Sequence, residues 1–345
     1  MINIIIIGAF GEKGKIPCGG ETCKNNIFKS YFSSLGGSII TKNTSGWKRN
    51  PFIILNIIFT VLTHPSHKIF LSVSRSANKV IRLFKWLHIK NDIVYCVVGG
   101  NFHKLMAAGI YDVNDYKTLK SILVQNIEMF IELERLGLKN VHYVPNVKMI
   151  EYIPNHVCRT EGPLQFVFMS QVRKEKGCDL IIDAVKMLND MGFSNKFSVT
   201  FYGKIKKEYE SLFLKKIVEF SNIKYKGVLN LNTKEGYDIL SSYDAMLFPT
   251  YWVSEGFPGV FIDAFISSLP IIASDWNFNA ELVEHGKNGL IVRPQDSSSL
   301  RDAMLQVIEN RDLLIGFSRE SGKRSGTYDI RNIYNDVWLC KIGLI

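Results

Sequence analysis

The chain has 345 residues, 46% of them apolar and 12% aromatic, and a net charge of +10. That is enough apolar matter for one large or two medium cores, and it excludes a disordered chain. The charge is lopsided: through Ile150 there are 19 Lys and Arg against 8 Asp and Glu, a balance of +11, while the remainder carries −1. A basic half of this kind suits nucleic acid, an anionic lipid surface or a phosphorylated acceptor.

Taken in order, residues 2–7 form a β-branched apolar run ending at Gly8, the pattern of a strand buried on both faces. Gly11, Gly14, Gly19 and Gly20 follow, and a helical pattern runs on to Leu35. Strand 38–40 comes next, then a helix from Asn50-Pro51 to Leu62, strand 68–73 and a basic helix over 77–89. Strand 93–98 stops at Gly99-Gly100, and strand 119–124, helix 128–136 and strand 141–144 complete the series. Such alternation predicts a doubly wound α/β domain. Pro145-Asn146 closes it, and the polar, aperiodic segment to Pro163 reads as a linker.

The alternation then restarts. Strand 164–169, a helix over 179–191 led by Gly177, and strand 197–202 closed by Gly203 open the second series. A charged helix over 208–220, strand 223–225 before Gly227, helix 235–242 and strand 245–249 continue it. An apolar helix bearing Asp263, strand 271–273, a helix near 280–284, strand 290–292 and helix 296–310 end it. The amphipathic tail, 328–340, is free to pack elsewhere, including back on the first domain. The expected organisation is a first domain over 1–147, a linker over 148–162, a second domain over 163–325 and a C-terminal helix within 326–345. Two Rossmann-like doubly wound domains facing each other across a cleft are the expected fold.

Cys18, Cys23, Cys96, Cys158, Cys178 and Cys340 are scattered, with no C-x-x-C pair and no His at ligand spacing, which points to reduced thiols and no structural metal. No charged-then-apolar leader precedes the first strand, and the apolar run 52–62, interrupted by Asn56, is too short to span a bilayer. A cytoplasmic chain is expected, peripheral on the inner membrane face where its basic half meets lipid.

Most of the functional signal lies in Ser254–Asp275, SEGFPGVFIDAFISSLPIIASD. Glu255 opens a loop of Gly256, Phe257, Pro258 and Gly259, and Asp263 follows eight residues on, inside a helix. The loop frees backbone N–H groups and the helix N-terminus adds partial positive charge, so an anion with hydroxyls attached suits the pair. Ionised carboxylates accept hydrogen bonds only, and so grip a vicinal diol through its two O–H donors. A nucleotide-sugar meets that description. The competing readings are an exposed loop Glu255 and a helix-terminal charge at Asp263.

These residues resemble the retaining glycosyltransferases of family 4, which have the GT-B fold. The family signature is a carboxylate, seven residues, a second carboxylate, then an alanine and a Pro-Val/Ile-Ile-Ala segment. Here it stands as Glu255, GFPGVFI, Asp263, Ala264 and Pro270-Ile271-Ile272-Ala273. Pro145-Asn146, Lys176-Gly177, Tyr202-Gly203 and Asn288–Leu290 match further motifs in order, and the whole looks like the bacterial enzymes that build surface polysaccharides, lipopolysaccharide or capsule.

The resemblance implies transfer of a hexosyl-type sugar from a nucleotide-diphosphate donor to a glycan or lipid-linked glycan, with retained configuration and no required metal or other cofactor. It implies Glu255 on the transferred sugar, Asp263 on the ribose hydroxyls, and Gly256, Phe257, Pro258 and Gly259 near the sugar and diphosphate. Gly19-Gly20 would let donor phosphate or acceptor approach the first strand, and the base would be read by backbone near Gly227-Val228. Charge grows on the leaving oxygen as the glycosidic bond breaks, so cations are needed there. Lys176 is the first candidate. Gln171 stands five residues before it, where the family usually carries Arg, and Arg173, two residues on, is the candidate replacement. Asp263 is one methylene shorter than the commoner Glu.

Other readings stay open at this level. A nucleotide-sugar epimerase of the same fold would turn over its substrate without an acceptor. A non-catalytic nucleotide-sugar binder is a second, and a basic nucleic-acid binder a third, although no aromatic-basic strand motif or recognition-helix pattern supports a nucleic-acid partner. Gly8, Gly11 and Gly14 do not make G-x-G-x-x-G, which argues against a dinucleotide oxidoreductase. His103 either reaches a ligand from the end of a strand or is structural, and Glu281 either caps a helix or faces the donor. Lys79, Arg82, Lys85 and Lys90, with Phe84, Trp86 and Leu87 between, suit a surface resting on anionic lipid, extended by Lys48, Arg49 and the run 52–62. The alternative is apolar core beneath solvated lysines.

Overall fold

The computed structural model describes residues 2–11, 19–47, 49–74 and 76–345; Gly14, Cys18 and Lys48, named above, lie outside the described residues. The chain divides into two compact units, Met1–Met149 with Tyr328–Ile345, and Ile150–Thr327.

The first unit begins with β1 (Ile2–Gly8), α1 (Gly20–Ser34), β2 (Gly37–Asn43), α2 (Phe52–Thr63), β3 (Lys68–Ser72) and α3 (Ala77–Trp86). It continues with β4 (Ile93–Cys96), α4 (Phe102–Ala107), α5 (Val113–Tyr116), β5 (Ser121–Val124), α6 (Ile127–Arg135) and β6 (Val141–Tyr143). The six strands make one parallel sheet in the order β2-β1-β3-β4-β5-β6. Its start follows the flavodoxin-like order of a doubly wound sheet, and winding reverses between β1 and β3. Helices cover both faces, which is why the strands read as unbroken Ile, Val and Leu runs. Phe28, Tyr31 and Phe32 of α1 pack on one face. Ile57 and Val61 of α2, Ile81 and Phe84 of α3, and Met129 and Leu133 of α6 pack on the other. Asn25 clamps the switch between β1 and β3 by donating to the carbonyls of Ala9 and Ser72, both at 3.0 Å.

Two local expectations fail here. α3 stops at Trp86, three residues early, because His88 takes a left-handed φ of 51°. α4 and α5 occupy a stretch where no element was expected. His103, the second residue of α4 after β4, is buried, with Nε2 3.5 Å from Glu128, and burial lowers its pKa.

The second unit runs β7 (Leu164–Met169), α7 (Cys178–Asp190), β8 (Phe197–Tyr202), α8 (Glu210–Ile217), β9 (Ile223–Tyr225), α9 (Lys234–Ser241) and β10 (Ala245–Phe248). Then come α10 (Gly259–Ile266), β11 (Ile271–Ser274), α11 (Asn279–Leu282), β12 (Gly289–Val292), α12 (Ser297–Glu309) and α13 (Asp312–Lys323). This sheet is also parallel, in the order β12-β11-β10-β7-β8-β9, which is the Rossmann order, with winding reversed between β7 and β10. α13 was not anticipated. Leu314 and Phe317 join the core, but Ser318 and Ser321 are buried too, donating to the carbonyls of Ser268 and Leu269, and this blurs its apolar period.

The tail, expected as one amphipathic helix, is two: α14 (Ile330–Ile333) and α15 (Asp336–Lys341). Asp329 and Asn335 cap them, accepting from Arg331 N and Trp338 N, and the second cap interrupts the first helix. Ile330, Tyr334, Leu339, Ile342 and Leu344 pack with Phe28 and Phe32 in the first unit's core.

Candidate active site

The candidate site lies in the second unit, at the carboxyl ends of β7 and β10. Crossovers leave these two strands in opposite directions, which opens the crevice where such sheets take ligands. After β7 the chain enters a tight turn at Lys174–Lys176, and Gly177 then leads into α7 with φ 84°. Gly177 is required: a Cβ there would stand 2.2 Å from the carbonyl oxygen of Pro249, in the loop after β10. The backbones of the two loops are tied where Tyr251 N donates to Glu175 O at 2.9 Å.

Lys176 and Glu255 meet across these loops. The Lys176 ammonium is ion-paired with Glu255 Oε2, and Thr250 Oγ1 donates to the same oxygen at 3.0 Å. The two charged side chains are 13% and 11% exposed. The Glu255 backbone is fixed on both sides, its N–H donating to Trp252 O and its carbonyl accepting from Asn277 Nδ2 at 2.8 Å. Glu255 is therefore a buried, positioned carboxylate, not an exposed loop residue.

Arg173 belongs to the same turn. Its Nε donates to Glu175 Oε2 at 2.8 Å, and its guanidinium stacks 4.0 Å from the centroid of the Trp252 ring. This hydrogen bond holds the Glu175 carboxyl down at about 2 and raises the pKa of Arg173. Gln171 is exposed.

Asp263 sits one turn into α10 and is buried, with Oδ1 accepting from the Tyr237 hydroxyl of α9 at 2.8 Å. Burial, then the neighbouring carboxylate, pushes the Tyr237 hydroxyl well above its ordinary pKa, so it stays a donor. Gly256 is half-buried, Phe257 and Pro258 are buried, and Gly259 is the first residue of α10, whose first-turn N–H groups have no partner within the helix.

The other candidates are carried by other elements. Gly227 has φ 71° and accepts from Gly203 N at 2.7 Å beyond β9, with Val228 41% exposed beside it. Gly19, with φ 99°, and Gly20 open α1 in the first unit, and both are exposed. Glu281 lies exposed on α11. Thr250, Trp252, Asn277 and Tyr237 were missed, because each reaches the site through tertiary contact and none falls in a spaced motif. Among the described residues no group of three His, Cys, Asp or Glu side chains could hold a metal.

Residues 151–324, just over half of the chain, match the family described as glycosyl transferases group 1. The chain belongs to that family. An uncharacterized glycosyltransferase of Methanocaldococcus jannaschii is 25% identical over 197 residues, covering 54% of this chain and 52% of the relative. WcaL of Escherichia coli, assigned to colanic acid biosynthesis, is 23% identical over 162 residues, covering 45% and 38%. The chain thus spans about half, or less, of the length of these curated relatives. Among solved structures, Anabaena Alr3699/HepE in complex with UDP-glucose is similar with a TM-score of 0.71 at 14% identity, covering 100% of both chains. The two doubly wound units have the GT-B fold.

Proposed function

We propose that the chain is a retaining glycosyltransferase of the family 4 type. It moves a sugar from a nucleotide-diphosphate donor to a glycan or lipid-linked glycan acceptor in surface polysaccharide synthesis. The observation that carries this reading is the buried Lys176–Glu255 pair at the switch point of the second sheet. A cation and an acceptor-only carboxylate side by side match the two ends of such a donor, diphosphate and sugar hydroxyls. The complex of HepE with UDP-glucose and the assignment of WcaL to colanic acid support the same reading.

In this scheme the second unit holds the donor and the first takes the acceptor. Lys176 turns from Glu255 to the diphosphate, and the released carboxylate receives hydroxyls of the transferred sugar. Asp263, held by Tyr237, takes the ribose diol. Arg173 adds the second positive charge as the leaving oxygen becomes negative, the place that Gln171 leaves vacant. Gly256–Gly259 let backbone amides approach the donor.

A thermal-shift screen across UDP-, GDP- and other nucleotide-sugars tests this, because a donor at a hundredfold excess over its Kd stabilises by about 2.7 kcal/mol. One base series should raise Tm, and transfer from that donor should disappear in Glu255→Ala. Absence of any nucleotide-sugar shift, or full transfer by Glu255→Ala, would overturn the proposal. Turnover of the donor without an acceptor would instead mark an epimerase.

A further inference from the structure

The outer face of α2 is apolar where a surface helix is ordinarily polar. Phe52, Leu55, Phe59 and Leu62 recur at three- and four-residue steps and so form one stripe. They are 73%, 58%, 67% and 58% exposed. The inward side already has its core contacts in Ile57 and Val61, and it also buries the polar Thr60, whose hydroxyl bonds to Asn56 O at 2.8 Å. Thr60 thus faces in while both phenylalanines of the helix face out. Twelve residues make about 18 Å of helix, short of a bilayer crossing. No helix among the described residues is long and apolar enough to cross a membrane.

Charge selects the occupant of this face. Between Glu21 and Asp92 the chain has no acidic residue and eleven Lys and Arg. Two of these cations border the stripe. Arg49 is exposed three residues before Phe52. Lys42 donates to the neutral Asn56 of α2 at 2.7 Å and pairs with no carboxylate among the described residues. With Asn50, Phe52, Ile53 and Asn56 it lines an open depression of about 320 Å³ at the head of the stripe. On α3 the exposed apolar surface is smaller, with Trp86 at 75% exposure. Phe84 is core at 1% exposure, and Arg82 and Lys85 are both engaged by Asp115.

We propose that α2 lies in the plane of an anionic lipid surface. Phe52, Leu55, Phe59 and Leu62 enter the boundary between headgroups and acyl chains, and Lys42 and Arg49 meet lipid phosphates. An apolar stripe bordered by cations is the composition of an interfacial helix, and a stretch with no acidic residue between Glu21 and Asp92 suits an anionic surface. The inference stands on the first unit alone and does not rest on the reaction proposed above.

The test is co-sedimentation of the full chain with vesicles of phosphatidylcholine, alone or with about 30% phosphatidylglycerol, at low and high salt. The chain should sediment with the anionic vesicles and be released by salt. Lys42→Ala and Arg49→Ala should each weaken binding about fivefold. Phe52→Ser with Phe59→Ser should weaken it more than about tenfold at unchanged Tm, since both side chains are exposed. Equal binding to neutral vesicles, or unaltered binding by the Phe52→Ser/Phe59→Ser variant, would overturn the proposal. So would a chain that ignores vesicles and instead forms a dimer which that variant dissociates.

Discussion

Lys176 and Glu255, 79 positions apart in the chain, form one ion pair with both side chains almost nine-tenths buried. The pairing separates two roles that would otherwise be lost together. Glu255→Ala removes the acceptor for sugar hydroxyls but leaves the ammonium of Lys176 uncompensated and open to phosphate. That variant should lose transfer and yet bind a nucleoside diphosphate as tightly as the parent, or more tightly. Lys176→Ala should lose both. Each should also lower stability by about 3 kcal/mol, since removing one partner strands the other charge in a poorly solvated place. Calorimetric titration with UDP and GDP beside a melting curve distinguishes the roles; parallel loss of diphosphate affinity in both variants would end this division.

Arg173 is compared best with its neighbour Lys174. The Arg173 side chain is 12% exposed, with its guanidinium stacked on Trp252 and bonded to Glu175, while Lys174 is exposed. If Arg173 supplies the charge that Gln171 does not, Arg173→Ala should lower kcat by about a hundredfold, the effect of removing one preorganised donor to a developing oxyanion. Lys174→Ala should change kcat little. Equal and small losses in steady-state assays of the two variants would leave Arg173 a structural residue.

The same bond has an acid signature. Glu175 titrates at about 2 in place of the ordinary 4.5 because Arg173 donates to it. A folded pKa below the unfolded one contributes stability that is complete above the ordinary value and fades as pH falls through the folded one. The Glu175 side chain is 37% exposed, so solvent screens the pair and its contribution stays below about 1 kcal/mol. Wild type should therefore melt slightly above Glu175→Gln from neutrality down to about pH 5, with the gap closing towards pH 2. Melting curves on a pH series measure this, and a gap that persists at the acid end would remove the bond's role.

What was legible in the sequence is what is local. Glu255 and Asp263 stood out because loop and helix hold them eight residues apart, and Leu164–Met169 read as a strand because burial on both faces leaves it almost uniformly apolar. The partners of those carboxylates were not legible. Lys176 reaches Glu255, and Tyr237 reaches Asp263, only because distant loops and helices converge. α13 was hidden by serines that are buried as donors to carbonyls, not exposed as their polarity suggests. The order of the first sheet was equally out of reach, since strand runs of one composition do not say which neighbour each will pair with. Periodicity likewise found α2 but could not say which side faced out, because Thr60 is the residue that turned inward.

Tyr237 supplies the last prediction. Its hydroxyl holds one oxygen of Asp263, the carboxylate that is a methylene shorter than the family's commoner Glu. If Asp263 grips the ribose, its short reach makes its orientation matter more, and the Tyr237 bond fixes that orientation. Tyr237→Phe keeps the ring and deletes the bond, at a cost of about 1.5–3 kcal/mol for a hydrogen bond to a charged group. The loss should appear as a lower Tm and as a rise of about tenfold in the donor KM, with kcat nearly unchanged because the ribose is remote from the reacting carbon. Asp263→Asn should raise KM further, since the amide offers one acceptor oxygen where the carboxylate offers two. A Tyr237→Phe enzyme with a lower Tm but an unaltered donor KM would show that this bond serves packing between α9 and α10 and not the donor.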